Sequence, residues 1–255
     1  MNYEIVGRKV FILNPHSVVS NELVEGLLAS EYEVYLLKDR ERALRVLHQF
    51  PDSVLFINID SGATDEDWEA YVRNMTKDPK LNTVRIGILS YNPSPELAQR
   101  YLMDIGVPCG FVRLRLGIQE STKIMLKALQ ANEAKGRRKY VRVQVGQDPH
   151  AGFNVQYQGK LIEGTILDIS SVGMAVQFHS PVDIPPNSRV PELQLRLRTS
   201  VVRVNGIVLN RRQDNQSVYV MLFEHSVETK ARYQIRMYIH NRLQEEIDVI
   251  SGERE

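Results

Sequence analysis

The chain is poor in the residues that staple a fold or carry chemistry. One cysteine, Cys109, stands among 255 residues, so no intramolecular disulfide can form. It lies between Pro108 and Gly110 with no histidine near it in sequence, the setting of a core or loop thiol rather than a nucleophile. The six histidines, His16, His48, His150, His179, His225 and His240, are scattered and lack the spacing of metal ligands. There is no glycine-rich phosphate loop and no nucleophile elbow. These absences predict no catalytic residues, no metal and no cofactor, and they argue against an enzyme. A net charge of +1 offers no global attraction to nucleic acid, membrane or acidic polymers, so any anion site must come from local clustering. No apolar run reaches the about 20 residues that span a bilayer. The opening MNYEIVGRKV lacks the apolar core of a signal peptide. The expectation is a cytoplasmic protein with no membrane insertion.

What is present is a balance of 43% hydrophobic and 25% charged residues over a length suited to two ordinary domains. In residues 1–133 short apolar runs alternate with helical periodicity about five times. The strands are predicted at Val10–Leu13, Glu33–Leu37, Val54–Ile57, Val84–Leu89 and Gly110–Leu114. The helices are predicted at Ser20–Ser30, with Ser20 or Asn21 as cap, then Arg40–Phe50, Asp65–Met75, Pro95–Ile105 and Ile118–Ala134. Such alternation predicts a doubly wound α/β parallel sheet covered on both faces. The order and lengths resemble a response-regulator receiver domain, though its functional residues are mostly missing. Asn14 and Pro15 stand where acidic Mg²⁺ ligands are expected. Asn58 occupies the phosphate-acceptor position, and an amide cannot form an acyl phosphate. Ser90 keeps the hydroxyl after the fourth strand, Arg113 replaces the lysine, and Asp60 comes two positions late. The expectation is a pseudo-receiver with a structural or dimerising role.

Residues 130–137 turn polar and end the helix near Gly136, which places a domain break at 133/134. From there to residue 255 the pattern is of strands. Phe153–Tyr157 and Leu161–Ile169 flank the hairpin signal Gln158-Gly159-Lys160. Gly173–Phe178 follows, then Glu192–Arg198 with leucines alternating, then Val201–Leu209 and Ser217–Phe223. About six short strands predict a small antiparallel barrel. A closing helix near Glu228–Val249 carries Ala231, Ile235, Ile239, Leu243 and Ile247 on one face.

Two short segments frame that barrel: Arg138-x-x-x-Arg142, preceded by Arg137, and Asp168-x-Ser170-x-x-Gly173. In order, spacing and β context they resemble the signature motifs of the PilZ family, which binds the bacterial second messenger cyclic di-GMP. The resemblance covers about 137–247 and implies a six-stranded barrel with a C-terminal helix. It also implies that Arg138 and Arg142 meet phosphate and a guanine Hoogsteen edge, which suits a planar guanidinium fork. Asp168 and Ser170 would hydrogen-bond guanine, and Gly173 would give the backbone room. Arg137 implies an intercalated ligand dimer, two per protomer. Asp168 and Ser170 also suit a turn, and Gly173 a positive φ. The implied role is a receptor or adapter, in motility or surface behaviour, that signals to a protein partner. A homodimer is left open. The alternative is an interaction protein that needs no ligand. Arg211-Arg212 could extend the basic surface, with a solvated loop as the default. Binding of a nucleic-acid polymer by the basic arm is disfavoured by the lack of an aromatic platform.

Overall fold

The computed structural model describes residues 7–15, 17–136, 138–146 and 148–252. By compactness the chain divides into Met1–Lys139 with Leu243–Glu255, and Tyr140–Arg242. This division falls a little after the expected break, and it hands the end of the last helix to the first unit.

The first unit alternates strand and helix as β1 (Val10–Leu13), α1 (Ser17–Ala29), β2 (Val34–Leu37), α2 (Arg40–Gln49) and β3 (Val54–Asn58), then α3 (Asp65–Lys77), β4 (Arg85–Ser90), α4 (Pro95–Gln99), β5 (Phe111–Arg113) and α5 (Ile118–Ala131). The strands form one parallel sheet in the order β2-β1-β3-β4-β5, the doubly wound order of receiver domains. Every residue of β1 and β3 is buried, as a sheet covered on both faces requires. Asp39 caps α2 by accepting from the Arg42 amide, and Thr64 and Asp67 form a capping box on α3. Two expectations need correction. The first helix begins at Ser17, so Ser20 and Asn21 lie inside it rather than capping it. The Pro95–Ile105 helix keeps its α geometry only to Gln99 and continues as a π-helical stretch, Arg100–Ile105. The edge strand β2 is not left bare. Gln244 accepts from the Leu36 amide at 2.8 Å and donates to the Leu36 carbonyl at 3.0 Å, as a neighbouring strand would.

The second unit holds β6 (Arg142–Gln144), β7 (Ala151–Tyr157), β8 (Lys160–Ser170), β9 (Gly173–Phe178), β10 (Arg189–Leu197), β11 (Ser200–Arg211) and β12 (Val218–Phe223). The strands β8-β7-β10-β11-β12-β9 close on themselves through β8–β9 pairing, giving a six-stranded antiparallel barrel. Gln158 and Gly159, at φ 51° and 76°, make the tight β7–β8 turn that matches strand twist. Leu193, Leu195 and Leu197 point inward at 0%, 0% and 3% exposure, which bears out the alternation. The long helix α6 (Thr229–Ser251) buries the whole expected stripe from Ala231 to Ile247. Its first part is tied to the barrel by Asp148, which accepts from Arg198 at 3.0 Å and from the Tyr238 hydroxyl at 3.2 Å.

Candidate functional site

One irregularity in β8 decides where the second motif points. Ile166 pairs with Val176, but Asp168 pairs with Ala175, so β8 carries one extra residue, Leu167, against β9. Such a bulge reverses the inside–outside phase of the strand beyond it. Ile166 faces the barrel core with Val176. Asp168 and Ser170 therefore share the outer face with Ala175, while Ile169 and Met174 return to the core.

The arm meets this face because β6, a strand not anticipated from the sequence, pairs with the end of β8. Strand β7 pairs with β8 only from Lys160 to Gly164, which leaves the far edge of β8 unpaired. β6 takes that edge in the register Arg142↔Ser170, Val143↔Ile169 and Gln144↔Asp168. The Leu167 carbonyl at the bulge accepts from the Val145 and Gly146 amides, at 2.7 and 3.2 Å. Arg142 thus stands opposite Ser170, on the same face as Asp168, and diagonal neighbours on one face are within reach of long side chains.

Asp168 is the centre of the arrangement. Its side chain is 3% exposed and sits between two guanidinium groups. Arg142 lies 3.5 Å from Oδ1 and remains half exposed. Arg212 pairs with Oδ2 and is the closer partner. A charge this buried is tolerable only when paired, and here it is paired on both oxygens. Arg212 follows β11, its amide donates to the Val218 carbonyl at 2.9 Å, and its own carbonyl accepts from Gln216 at 3.1 Å. Sequence reasoning treated Arg212 as a solvated loop residue. No spacing rule could have matched it to Asp168, because strand order alone brings them together.

The other motif residues have duties that need no ligand. The Ser170 hydroxyl donates to the Gly173 carbonyl at 3.1 Å and faces the Val172 amide at 3.5 Å, holding the β8–β9 turn. Gly173 does not have a positive φ. A Cβ there would lie 2.4 Å from the Met221 carbonyl oxygen, so the room it makes is filled by β12. Arg138 is exposed, in irregular chain shortly before Tyr140 opens the second unit. Arg137 lies outside the described residues. The structure thus brings Arg142, Asp168, Ser170 and Gly173 together and adds Arg212.

In the first unit the residues around the expected acceptor position hydrogen-bond to one another. The Asn14 amide nitrogen donates to the carbonyls of Asn58 and Ser61, at 3.1 and 2.7 Å. Asn58 Oδ1 accepts from the Asp60 amide, and Asp60 accepts from the Ser90 hydroxyl at 2.5 Å and the Tyr91 amide at 2.8 Å. Cys109 is buried beside the Arg85 carbonyl, and burial pushes its thiol up to about 12, so it is a core thiol. Among the described residues no group of three His, Cys, Asp or Glu could hold a metal ion, and no helix is long and apolar enough to cross a membrane.

A doubly wound sheet and a closed six-stranded antiparallel barrel with an arginine–carboxylate cluster on its outer face define a receiver-like unit joined to a small β-barrel. Residues 136–241 match the PilZ domain family, so the chain carries a PilZ domain. No curated protein sequence matches the chain. Among solved structures it is similar to the PilZ domain of YcgR from Escherichia coli with c-di-GMP, at 14% identity and TM-score 0.37, over 46% of this chain and 99% of that one. Another structure, YcgR of Escherichia coli in complex with c-di-GMP, gives 13% identity and TM-score 0.39, over 46% of this chain and 51% of that one. The chain therefore spans about half of that YcgR structure. It is also similar to the chemotaxis response regulator CheY4 of Vibrio cholerae, at 18% identity and TM-score 0.41, over 50% of this chain and 99% of that one.

Proposed function

We propose that the barrel unit is a receptor for cyclic di-GMP and that the arm carrying Arg137, Arg138 and Arg142 closes over the bound dinucleotide. The observation that carries this reading is the meeting of Arg142 with Asp168 on one outer face, at the register Arg142↔Ser170. Arg142 and Arg138 supply forks for phosphate and for the guanine N7/O6 edge, and Asp168 supplies an acceptor for guanine N–H groups. Ser170 and Gly173 contribute by fixing the corner on which Asp168 stands. Arg137 supports two ligands per protomer. Ordering the arm would change how the receiver-like unit is presented to a protein partner, a disorder-to-order switch.

Calorimetric titration with cyclic di-GMP tests this on wild type, Arg138→Ala and Arg142→Ala. Heat and saturation with the wild type, weakened about 5- to 150-fold in each variant, is the expected result, by analogy with an arginine–guanine contact. Absence of binding, or equal binding by all three, refutes the reading. Scattering profiles that stay unchanged on saturation would refute the arm's part in it. A second reading, an adapter that needs no ligand, is favoured by one observation: the carboxylate and hydroxyl of the motif are already satisfied within the protein. The same titration separates the two.

A further inference from the structure

We infer that Arg212, which belongs to neither motif, is a positioning residue for the dinucleotide site and acts through Asp168; the inference rests on the receptor reading above. The two arginines around Asp168 are not equivalent. Arg212 is fixed at both backbone groups by the turn between β11 and β12, and it holds Oδ2 closely. Arg142 stands at the first residue of a three-residue strand, half exposed, 3.5 Å from Oδ1. Each oxygen could accept a second bond, but the carboxylate is 3% exposed between its two arginines, and a guanine edge cannot reach it until one of them moves aside. Arg142 is the partner that can leave. Drawn onto a phosphate or guanine of the ligand, it vacates Oδ1 and loses no interaction overall, because one anionic or acceptor contact replaces another. Arg212 stays, keeps the nearly inaccessible carboxylate compensated, and aims its free oxygen outward. Binding is then an exchange of partners at one carboxylate, with Arg212 as the fixed member.

Without Arg212, Asp168 would be a buried carboxylate with Arg142 as its remaining partner in the cluster, and it would hold that arginine back from the ligand. Loss of Arg212 should therefore weaken binding by way of Asp168. A double-mutant cycle reads this out in the full chain. Cyclic di-GMP affinity is measured for wild type, Arg212→Ala, Asp168→Asn and the double variant, with Arg212→Lys as the charge-conserving control and thermal melting to confirm folding. The expected result is a loss of about ten- to a hundredfold in Arg212→Ala, partial recovery in Arg212→Lys, and no further loss when Arg212→Ala is added to Asp168→Asn. Wild-type affinity in Arg212→Ala would overturn the inference while leaving the receptor reading intact. So would full additivity in the cycle, since Arg212 would then act on the ligand or the fold directly. Absence of binding by the wild type would overturn both. Should Arg212→Ala fail to fold, Arg212→Gln enters the same cycle.

Discussion

Gly173 shows how a motif residue can be required for a reason other than ligand contact. Its backbone passes so close to β12 that a methyl group would meet the Met221 carbonyl oxygen at 2.4 Å, and backbone cannot yield as a side-chain tip can. Gly173→Ala should cost about 1–3 kcal/mol through overpacking, seen as a lowered melting temperature without ligand. If that variant melts like the wild type, the close approach does not explain the glycine. Asp148 presents a different case at the same scale. Burial alone would push its carboxyl up, but the His150 amide, the Arg198 guanidinium and the Tyr238 hydroxyl together hold it below the usual carboxylate range. A carboxyl whose folded value is depressed contributes stability above its unfolded value of about 3.9, and that contribution disappears as pH falls through the folded value. Urea midpoints of the full chain should therefore drop on acidification from about pH 5 downward. Asp148→Asn should be less stable at neutral pH and show a shallower acid limb. An identical slope in wild type and variant would remove Asp148 from the account.

At the scale of elements, the parallel strands were legible because a doubly covered sheet must be written as unbroken apolar runs. β1 and β3 are such runs. The leucine alternation of β10 was legible for the matching reason, a strand with one face inward. The strand β6 was missed although Val141, Val143 and Val145 alternate with Arg142 and Gln144, because the basic run before it reads as a solvated arm and its pairing depends on where β7 stops. The bulge at Leu167 was also invisible, since Leu161–Ile169 reads as one continuous strand. Yet the bulge places the whole candidate site. Deleting Leu167 would put Asp168 directly after Ile166 in regular pairing, so Asp168 and Ser170 would keep the outer face, and what is lost is the carbonyl that accepts from the Val145 and Gly146 amides. The expected outcome is a barrel unit that still melts cooperatively, with faster hydrogen exchange at Val145 and Gly146 and weaker binding of cyclic di-GMP. A deletion variant with wild-type exchange at Val145 and wild-type affinity would show that the bulge carbonyl does not hold the arm. The Gln244 contact was illegible for the simplest reason, a separation of 208 positions from Leu36. Gln244→Leu should cost about 1–3 kcal/mol for the two backbone groups left at the β2 edge. Hydrogen exchange at Leu36 should rise with it, and unchanged protection there would contradict the edge-capping role.

At the scale of the whole molecule, the question is how many inputs the chain accepts. A receiver unit beside a PilZ domain suggests phosphorylation and a second messenger together. The hydrogen bonds of the first unit argue against the first of these. Asn14 turns its amide nitrogen toward the carbonyls of Asn58 and Ser61, where a cation would need anionic oxygens. Asn58 is 2% exposed, and Asp60 already engages the Ser90 hydroxyl that phosphoryl recognition would need. Restoring the acceptor alone should therefore not restore the chemistry. Incubated with acetyl phosphate and Mg²⁺, wild type and Asn58→Asp should both keep their unmodified intact mass. Cyclic di-GMP titrations before and after that incubation should superimpose. Phosphorylation of Asn58→Asp without any change at Asn14 would mean that the local network yields to a metal ion, and the unit would have to be treated as a receiver one substitution from function.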